Sequence, residues 1–198
     1  MTKFLTSEKE IKDFLNQYKI SGYKLIPDEK YGFVIDVDGD VKFVGTNLKE
    51  IPVKFREISG DLTCFGNQLS SLRFCPQKVS SFMCGFNGLT SLEYCPKNIP
   101  NGFDCSHNKL TSLEFCPEFV GGIFNCMNNN ISSLEFCPKD VGRFFFADNN
   151  PGLGEFQKTN LFSPIYEKHL RIKSMIEFKN ELESQISSKH SNTKKSKI

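Results

Sequence analysis

Hydrophobic and polar residues recur in a fixed order along the middle of this chain. In one segment Phe103 and Cys105 alternate with polar Asp104 and Ser106, and this period of two predicts a short strand with one face on a core. The segment continues with a turn residue, two apolar positions and a pair that stops a helix: Asn108, Leu110, Leu113 and Cys116-Pro117. One strand, one turn and one return segment therefore make a single coil.

The coil repeats along the chain. Asparagine marks the same place in five segments, at spacings of 20, 21, 21 and 20 residues: Asn67, Asn87, Asn108, Asn129 and Asn149. Thr46 takes this place 21 residues before Asn67. Since one coil cannot bury its own apolar edge, the coils must stack. The pattern predicts an α/β solenoid of about six turns over residues 36–157, with a parallel β-sheet along one face.

The repeated asparagines have a structural explanation. A sharp bend leaves backbone N–H and C=O groups inside the coil without partners, and an amide side chain supplies both a donor and an acceptor. We therefore expect the five asparagines to form a hydrogen-bonded ladder rather than a catalytic set.

The motif F-x-C-x-x-N-x-L-T-S-L-E-F-C-P resembles the leucine-rich-repeat family, with Phe and Cys in the strand positions of Leu. The repeat length of 20–21 residues and the Pro-bearing return segment are similar to the short bacterial type. Such arrays, often preceded by a segment like Asp36–Val41, occur in proteins of bacteria and tailed phages. The resemblance implies a parallel sheet on a concave face and recognition of another protein.

Open-ended solenoids need caps at both ends. Ser7 and Glu10 form a capping box for a helix, so residues 1–35 are predicted to be an N-terminal cap of helix and extended strands. Residues 158–186 are predicted to be a C-terminal capping helix, with docking to a partner as the alternative. Residues 187–198 are basic and polar, which is typical of a disordered tail.

All 8 cysteines lie between Cys64 and Cys137, in two columns of the repeat. We interpret them as small apolar residues that fill core positions. Disulfides within a column and a metal site are the alternatives, but zinc favours closer spacings than the 9–11 residues found here. No cofactor or metal is expected.

Composition excludes several classes of function. A net charge of +2 gives no general attraction to nucleic acid or membranes, and no apolar run approaches the ~20 residues of a membrane span. The charged start of the chain lacks the apolar stretch of a signal peptide, which favours a cytoplasmic protein, in the host cytoplasm if a phage encodes it.

The outward strand positions form the predicted concave surface. Aromatic and Met side chains stand there between neutral polar groups, a composition typical of protein interfaces. The candidate binding residues are Phe65, Met83, Phe86, Asp104, His107, Asn125, Met127 and Phe145.

Two classes of function remain. His107 and Asp104 have no nucleophile beside them in the pattern, so we expect no enzymatic activity. The first hypothesis is a protein–protein interaction module, in its sharper form a phage or bacterial effector or inhibitor that binds a host protein. The alternative is a structural component of a larger assembly such as a virion.

Overall fold

A computed structural model describes residues 3–153, which begin with an extended segment and one α-helix, α1 (Glu8–Gln17). Ser7 caps this helix, because its Oγ accepts from the Glu10 N–H at 3.3 Å and donates to Glu10 Oε2 at 2.8 Å. The predicted capping box is confirmed. The apolar side of α1 is buried, and its Phe14 ring lies 5.7 Å from the ring of Phe43 in the first coil.

A β-hairpin joins the helix to the coil. Strands β1 (Tyr23–Asp28) and β2 (Gly32–Val37) pair antiparallel, with Leu25 opposite Ile35. Asp28 holds the turn, since its Oδ1 accepts from the backbone N–H groups of Lys30 and Tyr31 at 2.9 and 2.8 Å. Strand β2 also pairs parallel with β4 (Lys54–Ile58), which attaches the hairpin to the first turn of the coil.

The solenoid is built on a six-stranded parallel sheet, called here the long sheet. Its strands, in spatial order, are β12 (Phe145–Phe146), β10 (Phe124–Asn125), β8 (Phe103–Asp104), β6 (Phe82–Met83), β5 (Leu62–Thr63) and β3 (Val41–Lys42). The six strands correspond to about five turns of the coil, slightly fewer than the six that the sequence predicts. The solenoid and its parallel sheet are confirmed.

A second parallel sheet, which the sequence did not predict, lies beside the first in three successive coils. It contains β7 (Asn98–Ile99), β9 (Phe119–Val120) and β11 (Asp140–Val141). A parallel bridge between Glu57 and Lys78 continues its direction toward β4. The inward residue of each strand is apolar, and Ile99 and Val120 are fully buried.

The core runs along the coil as columns of identical positions. Phe82, Phe103 and Phe124 are at most 1% exposed, and their rings follow one another at 5.9 and 5.6 Å. Each such side chain contributes about 1.5–3 kcal/mol through burial. All eight cysteines are buried free thiols, and this burial raises the pKa of Cys75 to about 12.

The C-terminal predictions, a helix over 158–186 and a tail over 187–198, lie outside the described residues. Among residues 3–153 the only α-helix is α1, and it is too short and too polar to cross a membrane.

Candidate protein-binding face

Asparagines at the end of each long-sheet strand hold neighbouring coils together. The Nδ2 of Asn108 donates to the carbonyls of Cys84 and Cys105 at 3.1 and 3.0 Å, and its Oδ1 accepts from the Leu89 N–H at 2.9 Å. Asn129 repeats these contacts one coil further along. Each amide therefore satisfies backbone groups of its own coil and of the preceding one.

The last ladder position is Asn150, and the prediction of Asn149 is wrong. Asn150 Nδ2 donates to the carbonyls of Cys126 and Ala147 at 3.0 and 2.9 Å, and its Oδ1 accepts from the Ile131 N–H at 3.0 Å. Asn149 is exposed instead. The last coil has 21 residues rather than 20, which shifts every position in it by one.

The same shift corrects the prediction for Phe145. It pairs with Phe124 in the long sheet and is 2% exposed, so it fills the core and is not a binding residue. Phe146 takes the outward position, and Phe144 is 38% exposed. A small buried residue three positions before each ladder asparagine, here Ala147, is the sequence signal that fixes this frame.

The residue before each ladder position has a left-handed backbone. These positions, with φ between 52 and 68°, are Gly45, Gly66, Phe86, His107, Asn128 and Asn149. Glycine and asparagine adopt this conformation readily, whereas for other residues it costs about 1–2 kcal/mol of conformational free energy. Phe86 and His107 are the two residues of this column that are neither glycine nor asparagine.

The side chains of this column, with Phe65 from the position before Gly66, stack on one another along the coil axis. The Phe86 ring lies 3.8 Å from the His107 ring, nearly parallel at 22°, and 4.8 Å from the ring of Phe65. Asn128 Nδ2 lies 3.1 Å from His107 Nε2, and Asn149 Nδ2 donates to Asn128 Oδ1 at 2.9 Å. The predicted residues Phe65, Phe86 and His107 are thus brought together in one exposed row.

The outward strand positions lie beside this row. Asp104 is tied down by two hydrogen bonds, because Oδ1 accepts from the Ser106 N–H at 2.8 Å and Oδ2 from Asn125 Nδ2 at 3.2 Å. Asn125 Oδ1 accepts in turn from the Met127 N–H at 3.1 Å. Asp104, Asn125, Met127 and Met83 are half-buried, so the centre of the predicted binding surface is only partly exposed to solvent. Together with the stacked row they form what we call the sheet face.

A pocket of about 540 Å³ opens where the loops enter the strands of the sheet face. Met83, Asp104 and Asn125 of the predicted set line it. Gly121 also lines it, and this position is glycine because a Cβ there would lie 2.0 Å from the carbonyl oxygen of Pro100. Four further side chains, which the sequence pattern did not predict, come from the loops and from the shifted last coil: Asn101, Ile123, Arg143 and Phe146.

The sheet face combines apolar surface with little charge. Phe65 and Phe86 are 37 and 46% exposed, and the pocket lining carries two charged side chains, Arg143 and Asp104, among apolar and amide groups. His107 and Asp104 bond to different partners, Asn128 and Asn125. Cys105, which follows Asp104 in the sequence, is buried, and this burial raises the pKa of its thiol well above the usual value.

Comparison with known protein families, characterised proteins and solved structures found no match to this chain.

Proposed function

We propose that this chain is a non-enzymatic protein–protein interaction module that binds another protein through the sheet face. The observation that supports this most directly is the exposed stack of Phe65, Phe86 and His107. Exposed aromatics on a rigid support are typical of interface anchors, since they bury a large area with little loss of side-chain freedom.

The backbone strengthens the proposal. Phe86 and His107 stand at φ values of 54 and 52°, where the neighbouring coils have glycine or asparagine. Strained backbone that persists at an exposed aromatic position is more often associated with function than with folding. The row is therefore better explained by recognition than by packing.

The pocket suggests how a partner is oriented. An apolar side chain of the partner fits against Met83, Ile123 and Phe146, and a carboxylate next to it would meet the guanidinium of Arg143. An apolar contact combined with an ion pair fixes the orientation of the partner and also adds to the buried interface area.

The repeat pattern supports a proposal for the class of protein to which this chain belongs. We propose a short leucine-rich-repeat coil of bacterial or phage type, acting in the cytoplasm as an effector or inhibitor of a host protein. The repeat motif supports the family, and the sheet face supports binding. Enzymatic activity has no support in the face, where hydrogen bonds already engage Asp104 and His107.

A quantitative pull-down tests the sheet face. Tagged wild-type protein is compared with Phe65→Glu and with Phe86→Asn, which keeps a residue suited to the left-handed backbone. The matched control is Thr111→Glu, which makes the same charge change as Phe65→Glu at an exposed position outside the face. We expect one partner to be recovered by wild type and control and reduced about tenfold with either face variant.

Two outcomes would contradict the proposal. Equal recovery of every partner by the wild type and the face variants would remove the sheet face from recognition. A wild-type chain that assembles with itself into large particles, with no other protein bound, would favour the structural alternative. Circular dichroism of each variant establishes that it is folded.

A further inference from the structure

A second row of exposed aromatics runs along the return segments, outside the sheet face. It consists of Tyr94, Phe115 and Phe136, which precede the Cys-Pro pair in successive coils and are called here the aromatic ridge. Their exposed fractions are 45, 44 and 48%, among the largest of any bulky apolar residue in the described chain. The sequence pattern predicts no more than a return segment here.

A tight turn presents each ridge residue to solvent. The Cys116 N–H donates to the Leu113 carbonyl at 3.0 Å, which makes Phe115 the third residue of a four-residue turn. Tyr94 occupies the same place in the coil before, and the two have φ values of 66 and 71°. Glycine is favoured at this position with positive φ, so Tyr94 and Phe115 stand here against backbone preference.

The second coil shows what an aromatic in this position can bind. Phe74 is half-buried because the Phe4 ring lies 4.3 Å away and the Tyr31 ring meets its edge at 6.0 Å. The guanidinium of Arg73 lies 5.0 Å from the centre of the same ring. An apolar side chain and a cation thus cover the ring together.

The ridge has acidic groups at the position of this cation. Where the second coil has Arg73, the next two coils have Glu93 and Glu114, each fixed by a backbone N–H that donates to a serine Oγ at 3.0 Å. Glu93 also accepts from the Tyr94 hydroxyl, which raises the pKa of that phenol. The ridge is thus complementary to a basic, apolar surface.

We propose that the aromatic ridge is a second docking surface, and that its occupant is an amphipathic helix of a partner protein with apolar and Lys or Arg side chains on one face. The spacing supports a helix. Successive coils are ~4.8 Å apart, close to the 5.4 Å rise of one helical turn, whereas alternate side chains of a strand are ~6.8 Å apart. Each turn of the helix therefore offers one side chain to each coil.

A synthetic peptide tests this surface without knowledge of the natural partner. The probe is a helical peptide of about 15 residues with Leu and Lys on one face and a single Trp among the Leu. The protein has no Trp, so Trp fluorescence reports on the peptide alone. We expect saturable binding with a blue shift, weakened about tenfold by Phe115→Asn and about threefold by Glu114→Gln at low salt.

Controls separate this proposal from the function proposed for the sheet face. Phe86→Asn should bind the peptide like the wild type, and a peptide with Glu in place of every Lys should not bind. The proposal is overturned by equal binding to wild type and Phe115→Asn, by equal binding of the Glu peptide, or by no saturable binding to wild type. None of these results alters the pull-down of sheet-face partners.

Discussion

At the scale of single residues, the ladder asparagines determine how one coil attaches to the next. Each amide bonds to backbone groups on two coils, as Asn108 does with Cys84 and Cys105. A buried backbone group without a hydrogen-bond partner costs about 1–3 kcal/mol of stability. Because one asparagine bonds to several such groups, its side chain has a large effect on the free energy of unfolding.

Asn150 and its neighbour Asn149 give a matched pair of substitutions. Asn150→Ala should lower the free energy of unfolding by about 2–4 kcal/mol, because it leaves the Ile131 N–H and the Ala147 carbonyl without these partners and removes one of two hydrogen bonds to the Cys126 carbonyl. Asn149→Gly should change it by less than about 0.5 kcal/mol, since glycine suits the left-handed backbone there. Urea denaturation of the two variants measures both values, and the reverse order would refute the assigned frame.

The same two residues show where sequence reasoning reaches its limit. The ladder through Asn129 and the exposed Phe65 and Phe86 followed from the repeat alone, because intact repeats define their own frame. The last coil carries three successive phenylalanines and two successive asparagines, so hydrophobicity cannot choose between neighbouring frames. Strand pairing of Phe145 with Phe124 makes that choice.

At the scale of elements, strands of two residues persist only because they stack. Neither sheet has a strand long enough to show alternation by itself, which is why the second sheet escaped prediction. Its strands add one apolar residue each, such as Val120, to columns that already contain phenylalanines and thiols. Stacked columns, rather than strands, are the stabilising elements of this fold.

The thiol columns predict a dependence of stability on pH. Burial raises the pKa of Cys105 well above its usual value, so the folded state retains a proton that the unfolded state loses. The stabilisation is complete below about pH 8.5 and falls as pH rises further, by about 1.4 kcal/mol per pH unit for each such thiol.

Cys105→Ala should therefore lose stability less steeply than wild type above pH 9, whatever its stability at neutral pH. Urea denaturation at pH 7.5, 9.5 and 10.5 in the presence of a reductant measures the two slopes. Parallel curves for variant and wild type would contradict a buried neutral thiol at this position.

At the scale of the whole molecule, the described residues form a one-dimensional stack that is attached to an N-terminal helix and hairpin. Strand β2 pairs with β4, and the Phe14 and Tyr18 rings lie 5.7 and 5.0 Å from Phe43 of the first coil. The capping box of α1 followed from local sequence. The parallel pairing of β2 with β4 could not be predicted in this way, because the paired residues are about 20 positions apart in the sequence.

We expect the helix and the coils to unfold together. Leu15 is fully buried, so Leu15→Ala should lower the free energy of unfolding by about 2–5 kcal/mol, whereas exposed Lys12→Ala should change it by less than about 1 kcal/mol. Circular dichroism for the helix and Ellman reactivity for the buried thiols should give one urea midpoint. An earlier loss of the helix signal would show that the coils stand without it.

The equal pairing of every coil with its neighbours has a consequence for how this molecule can change over generations. An in-frame duplication of one repeat inserts a coil whose asparagine and thiol positions match those on either side, so the core needs no redesign. Both the sheet face and the aromatic ridge then lengthen by the same ~4.8 Å. A change in the number of repeats can thus alter which partners bind, and point mutations can then change the exposed side chains of each added coil.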